Sequence, residues 1–397
     1  MPDERRRPKD RKAQIARASA QAFSALGFHG VSMESIANRV GITATALYRH
    51  YPNKYHLFRG AVLTLGERLV EATRSADGVG AADDAAAELN RVVHALIGVT
   101  LAERESGALY RWEARYLRPE DQAMLMDQMR VVNHRIRTLL LAVRPDLDPS
   151  ERRMLPPALL SVIGSVVDHR AKAPAGEICD VLSEVARGVL AADLPSARTP
   201  VPAPAVRRIY AASSAGPYES LLYGAMALFH TRGYHETSME QIAATAGIPA
   251  SGIYRYFEGK SDILATALRR SADLVSEELA AASGTATEPK RLLENLIASY
   301  VALSFANPEL AVVYYAERHN LSVADQQLLR NVQSGTVGFW VRLVAECRPD
   351  LSCAGVRFRV HAAMALVVDM GRLVHYDGSA HHQACVRRLM GVTLFES

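Results

Sequence analysis

Tyr48, Arg49, His50 and Lys54 lie within one short stretch, and Tyr254, Arg255, Tyr256 and Lys260 repeat it. Cations so placed suit a phosphate-binding surface. Just ahead of them stand Thr43, Ala44 and Thr45 in one stretch and Pro249, Ala250 and Ser251 in the other. Short hydroxyls can hydrogen-bond to base edges, and Ala or a Thr methyl can touch the thymine methyl. Together these residues could fix a protein on a nucleic-acid backbone and read its bases. Blander roles compete with this one: Thr43 as a helix cap, Tyr48 and Tyr254 as partly buried rings. Leu47 and Ile253 read as core.

Other chemistries find no support. Gly259-Lys260-Ser261 looks like the end of a P-loop, but the pattern needs a glycine five residues before Gly259, where Tyr254 stands. His381, His382 and Cys385 could share one helix face, yet no second ligand pair accompanies them, so no metal site is expected. No catalytic constellation and no cofactor motif appears. The chain reads as a non-enzyme.

The elements that must position the reading residues are two short helices joined by a tight turn, and the chain carries them twice. Fourteen of the 32 positions from 23 to 54 recur at a constant offset of 206, which marks an internal repeat. Ser32 and Ser238 are helix caps, with Glu34 and Glu240 in the first turn where the helix dipole favours them. Both serines are also candidates to touch the backbone of DNA. Ala37 and Ala243 let a second helix cross closely, and Gly41 and Gly247 allow a positive φ in the turn. This is helix-turn-helix grammar, in which the second helix enters the major groove. Lys54 and Lys260 open the next helix, where a cation and free N–H groups suit phosphate.

Composition sets the bounds. The chain has 397 residues, 49% apolar and 22% charged, with few aromatics and a net charge of +4. That fits a soluble, helix-rich protein of two units, with any basic footprint local. Cys179, Cys347, Cys353 and Cys385 form no C-x-x-C pair and read as reduced core thiols of a cytoplasmic protein. The charged N-terminus reads as no signal peptide, and the apolar run over 155–167 is too short to span a membrane.

The domain reading runs in order. Residues 1–60 form a basic arm and a first head; Arg5, Arg6, Arg7 and Lys9 read as an arm reaching along a DNA groove, with a solvated, disordered tail as the alternative, and helix 1 runs from about Lys12 to Leu26. Residues 61–192 are a helical body, and 193–217 a Pro/Ala-rich linker, extended and semi-rigid. A second head follows over 218–266 and a second body over 267–397. Glu113 matches Glu317, and Arg-Pro-Asp-Leu recurs at 144–147 and 348–351, so the bodies repeat as well, at an offset of 204.

At this point the sequence resembles the TetR family of transcriptional regulators. The resemblance rests on Leu47-Tyr48-Arg49-His50-Tyr51-Pro52-Asn53-Lys54 and Ile253-Tyr254-Arg255-Tyr256-Phe257-Glu258-Gly259-Lys260. It is similar to the fused, double-TetR type of actinobacteria, including a regulator of a lipid-import operon, through Arg5 to Lys12 and Glu113-Ala114-Arg115-Tyr116-Leu117. The resemblance implies an all-α fold of two protomers in one chain, each with a three-helix head and an effector and dimerisation body. The last helices of each half, about 153–192 and 355–395, would then meet in a four-helix interface of an intramolecular pseudo-dimer. The heads would sit one DNA turn apart, roughly 34–36 Å.

The implied partners are double-stranded operator DNA and a small hydrophobic, lipid-like effector, with no membrane; fused chains could pair further. Tyr110, Trp112, Glu113, Tyr116, Tyr314 and Tyr315 are the candidate effector-pocket residues, with plain packing as the alternative. Glu113 and Glu317 could hold a polar group of the effector or pair with Arg115 and Arg318. Because Thr43/Pro249, Thr45/Ser251, Ala46/Gly252 and His50/Tyr256 differ, the reading is of an asymmetric operator, and the effector bodies make it that of a ligand-released repressor. The alternative is a nonspecific architectural DNA-binding protein.

Overall fold

Runs of Ala, Leu, Glu and Arg with apolar residues three and four apart dictate helices, and every described element of the computed structural model is helical. The structure describes residues 8–78, 82–196, 216–284 and 288–395. Two compact units divide between Asp146 and Leu147, inside the first copy of the repeat.

In the first unit, α1 (Pro8–Leu26), α2 (Met33–Val40) and α3 (Ala44–Tyr48) form a head that rests on α4 (Lys54–Ala72). Helix α1 starts at Pro8, earlier than expected, so Lys9, Arg11 and Lys12 belong to the helix. Proline suits a first helical turn, where its missing N–H has no partner to lose. Arg5, Arg6 and Arg7 lie outside the described residues. Phe23, Ile36, Leu47 and Phe58 are fully buried and lock the head to α4. The body is α4, α5 (Ala82–Ala102) and α7 (Pro119–Val143). Between α5 and α7 the chain forms α6 (Arg104–Ala108), a π turn (Leu109–Glu113) and a 3₁₀ turn (Ala114–Tyr116).

The second unit opens with α8 (Pro149–Gly164) and α9 (Ala175–Ala191). Asp148 caps α8, its side chain accepting from the Glu151 N–H, and the helix carries Pro156 and Pro157 within it. The expected linker falls mostly on 197–215, outside the described residues. The second head is α10 (Pro217–Arg232), α11 (Met239–Thr245) and α12 (Ala250–Ile253). Its body is α13 (Lys260–Ser283), α14 (Pro289–Ala306), α15 (Glu309–Glu317) and α16 (Val323–Cys347). Helices α17 (Cys353–Leu373) and α18 (Ala380–Phe395) close the chain.

Helices α8 and α9 pack on α17 and α18, so the four expected to meet do so within one unit. Leu155, Leu159 and Val162 from the first copy and Val360, Ala363 and Leu366 from the second are fully buried. Polar pairs also cross between the copies: Ser161 Oγ donates to Asp369 Oδ2 at 2.6 Å, and the His169 and His361 rings stack at 3.8 Å. Of the four cysteines only Cys385 is buried, and Cys353 is exposed, which corrects the reading of all four as core thiols. A residue at the first turn of a helix has less of the core around it than one in mid-helix.

Candidate nucleic-acid interface

Each head builds its turn in the same way. Ser32 and Ser238 close capping boxes on α2 and α11, their hydroxyls accepting from Ser35 and Gln241 backbone N–H groups. Gly41 and Gly247 then take φ of 69° and 66°, the left-handed region that favours glycine. The turn is tied by Ile42 N–H to Ala37 O at 3.0 Å and by Ile248 N–H to Ala243 O at 3.2 Å. Leu47 and Ile253, both 0% exposed, anchor the second helix as expected. With those side chains pointing in, the opposite face must point out.

That face carries the reading residues. Thr43, Thr45, Arg49 and His50 are exposed, as are Ser251 and Arg255, with Ala44 and Ala250 half-buried. Tyr48 is 53% exposed and Tyr254 58%, so both rings are exposed and not the partly buried ones of the alternative; Tyr256 is exposed as well. Thr43 Oγ1 accepts from the Ala46 N–H at 3.1 Å, so it is a cap whose hydroxyl proton is still available to an acceptor. Pro249 holds the same position without a side-chain cap. The two recognition helices thus differ in chemistry while sharing one frame.

The sequence reading puts Lys54 and Lys260 on phosphate; the structure turns both ammonium groups inward. Lys54 Nζ donates to Phe28 O at 2.9 Å and lies 4.5 Å from the centre of the Phe28 ring. Lys260 Nζ donates to Tyr234 O at 2.8 Å and lies 4.7 Å from that ring. Burial holds both below the ordinary lysine pKa.

The same peptides are gripped from the body. Phe28 N–H donates to buried Glu113 Oε2 at 3.3 Å, and Tyr234 N–H to buried Glu317 Oε1 at 2.9 Å. Tyr116 packs its ring on Phe28 and His29. Glu113 and Tyr116 therefore join head to body in the first unit, and Glu317 does so in the second. The signal available in the sequence was the match of Glu113 to Glu317 inside the repeat; nothing local marks it as a clamp.

Of the remaining pocket candidates, Tyr110 meets Met129 Sδ through its hydroxyl, and Trp112 is buried with Arg111 over its ring. Tyr314 and Tyr315 line a cavity of about 180 Å³ in the second body, between α13, α14, α15, α16 and α17.

Charge divides the heads. Residues 8–54 hold seven Lys and Arg against two Asp and Glu, while 214–260 hold three against four. Arg39, exposed in the last turn of α2, is part of this surplus and was missed by motif reasoning because Thr245 takes its place in the other copy. Near the start of α13, Glu258 N–H donates to Asp262 Oδ2 at 3.1 Å, so two carboxylates stand where a phosphate was expected.

Two buried-anchor helix-turn-helix heads with exposed hydroxyls and cations define a DNA-binding fold. The family model of bacterial regulatory proteins, tetR family, matches the chain twice, over residues 15–61 and 221–267. Both heads are tetR-family domains, set in tandem on one chain. The chain is 28% identical over 116 residues to the HTH-type transcriptional regulator HbdR of Aromatoleum sp., covering 29% of this chain and 51% of that protein. It is 32% identical over 72 residues to the HTH-type transcriptional activator FasR of Mycolicibacterium smegmatis, 18% of this chain and 33% of the relative. A fatty acid metabolism regulator protein of Bacillus subtilis is 24% identical over 118 residues, covering 30% of this chain and 61% of that protein. The chain spans about half or less of the length of the first two relatives.

Proposed function

We propose that the protein is a sequence-specific DNA-binding regulator of transcription acting in the cytoplasm. It reads an asymmetric operator with two unlike heads and is released as a repressor when a small apolar effector enters the second body. The observation that carries this reading is the pair of exposed recognition faces, Thr43-Ala44-Thr45 with His50 against Pro249-Ala250-Ser251 with Tyr256, held in the same frame. A homodimer presents one face twice and so favours a palindrome; a tandem chain is free of that constraint. The excess of cations on the first head supports a division of labour in which that head supplies most of the phosphate attraction.

The route from effector to DNA runs through α15. Tyr314 and Tyr315 face the cavity, and Glu317, two residues on, holds the Tyr234 peptide of the second head. An occupant that shifts α15 would pull on that peptide and change the set of the recognition helix. The match to a fatty acid metabolism regulator accords with an apolar effector. Footprinting of genomic fragments, followed by exchange of the two half-sites, tests the operator claim: the exchange should weaken binding by at least about tenfold. Equal binding after exchange would refute it. Cognate DNA should also bind about 10³-fold or more tighter than random DNA.

A further inference from the structure

None of the described residues that line the cavity of the second body is Asp, Glu, Lys, Arg or His. Its wall is apolar, built from residues such as Leu268, Leu303, Leu329 and Val368, with a few hydroxyls and amides set into it. Arg318 lies outside the lining, 5.7 Å from the ring centres of Tyr314 and Tyr315.

Four hydroxyls of the wall already donate within the protein. Ser271 Oγ donates to Ala267 O at 2.7 Å, and Ser304 Oγ to Tyr300 O at 2.8 Å. Tyr376 Oη donates to Val368 O at 3.0 Å, and Tyr314 Oη to Gln333 Oε1 at 2.5 Å. Each of these hydroxyls has committed its single proton within the protein. Lone pairs remain to meet a ligand. Burial pushes the phenols of Tyr300, Tyr315 and Tyr376 well above the ordinary tyrosine value, so they stay neutral.

The first copy departs from this pattern at the matching positions. Glu103 stands for Asn307, Arg104 for Pro308 and Arg111 for Tyr315. Glu103 is paired with Arg68, and the Gln128 side chain occupies the space a Cβ on Gly66 would need.

We propose that the second body binds an uncharged, apolar alcohol, which donates its hydroxyl proton to one of these committed oxygens. The inference rests on the reading of this body as the effector site. A carboxylate would bring a negative charge with no opposite charge among the described residues of the wall. A ketone would fit the apolar wall but lose the donated bond.

Three probes of equal chain length separate these cases: 1-octanol, 2-octanone and octanoate, titrated into the full chain without DNA and followed by calorimetry and by thermal unfolding. 1-Octanol should bind once per chain, raise the unfolding midpoint, and exceed octanoate in affinity by at least about tenfold, with 2-octanone between them. Ala311→Phe, which fills the cavity, should abolish binding. Ser304→Val, a smaller change, should narrow the gap between alcohol and ketone while leaving the unliganded fold intact by circular dichroism. Octanoate binding as tightly as the alcohol, or no probe binding up to its solubility, would overturn the assignment. A DNA-release assay with the same probes reads the regulatory proposal separately. Saturable alcohol binding without release sinks that proposal and leaves the site; release by octanoate alone does the reverse.

Discussion

Arg359 on α17 lies 2.8 Å from Glu184 on α9, with the arginine fully buried and the carboxylate about one-third exposed. Arg359 also donates through Nη1 to Thr393 O at 3.2 Å. The repeat offset of 204 carries Arg359 onto Leu155 and Glu184 onto Arg388. Pairing of two second copies would therefore set Arg359 against Arg388, and pairing of two first copies would set Leu155 against Glu184. Only the mixed pairing places opposite charges together, a device that selects a partner by making the alternatives costly.

Reversing one charge of this pair, as in Glu184→Arg, should destabilise the second unit by about 3–5 kcal/mol, since it leaves a buried arginine facing a like charge. The double variant Glu184→Arg/Arg359→Glu should recover a large part of that loss, and Arg359→Leu, which copies Leu155, should be far milder than the reversal. Urea unfolding of the full chain measures all three. Additive losses in the double variant would show that the pair is not coupled.

Lys54 and Lys260 make opposite forecasts according to where their ammonium groups go. As carbonyl clamps, Lys54→Met and Lys260→Met should each lower stability by about 1–3 kcal/mol and leave the salt dependence of DNA binding nearly unchanged. As phosphate contacts they would leave stability alone and flatten the salt slope by about one unit each. Thermal unfolding and a salt titration on the same samples decide between them.

Arg39 and Arg49 are exposed on the first head, and Arg255 is the exposed cation of the second recognition helix. Arg39→Ser with Arg49→Ser should reduce the slope of log K against log salt by up to about two, and Arg255→Ser by at most about one. Equal salt dependence of the two heads would contradict the uneven division of charge.

Asp121 and Asp325 brace the two bodies. Asp121 accepts from Tyr55 Oη at 2.5 Å and Arg59 Nε at 2.6 Å; Asp325 accepts from Arg269 Nη2 at 2.5 Å. Desolvation works to raise Asp121, but bonds from Tyr55 and Arg59 outweigh it; for Asp325 the bond from Ser322 leads and Arg269 adds to it. Both are held below the usual carboxylate range. The unfolded chain therefore binds these protons first as pH falls, so the stabilisation is complete well above pH ~4 and is lost as pH drops through that value and below. In Asp121→Asn, stability between about pH 5 and pH 2 should change less with pH than in the parent.

Much of the head was legible in the sequence because its determinants are local. Ala37 and Gly41, or Ala243 and Gly247, act within a single turn, and Leu47 and Ile253 anchor the next helix from six residues away. The clamp was not legible, since Phe28 and Glu113 are 85 positions apart and Tyr234 and Glu317 are 83 apart. The pocket was half legible: tyrosine marks amphipathic surface, but whether a ring lines a space or packs on a neighbour depends on what stands opposite. Tyr314 faces a cavity, while the matching Tyr110 meets Met129.

The sequence alone determined that the chain carries two copies of one helical plan and that their recognition helices differ, because periodicity, caps and turn glycines are written residue by residue. Only the tertiary structure decided that the signature lysines face inward, that one body holds a cavity with no charged side chain among its described lining residues, and that Arg359 meets Glu184. Each of these depends on which side chains converge from distant helices, and helical spacing fixes the face a residue occupies without fixing what that face meets.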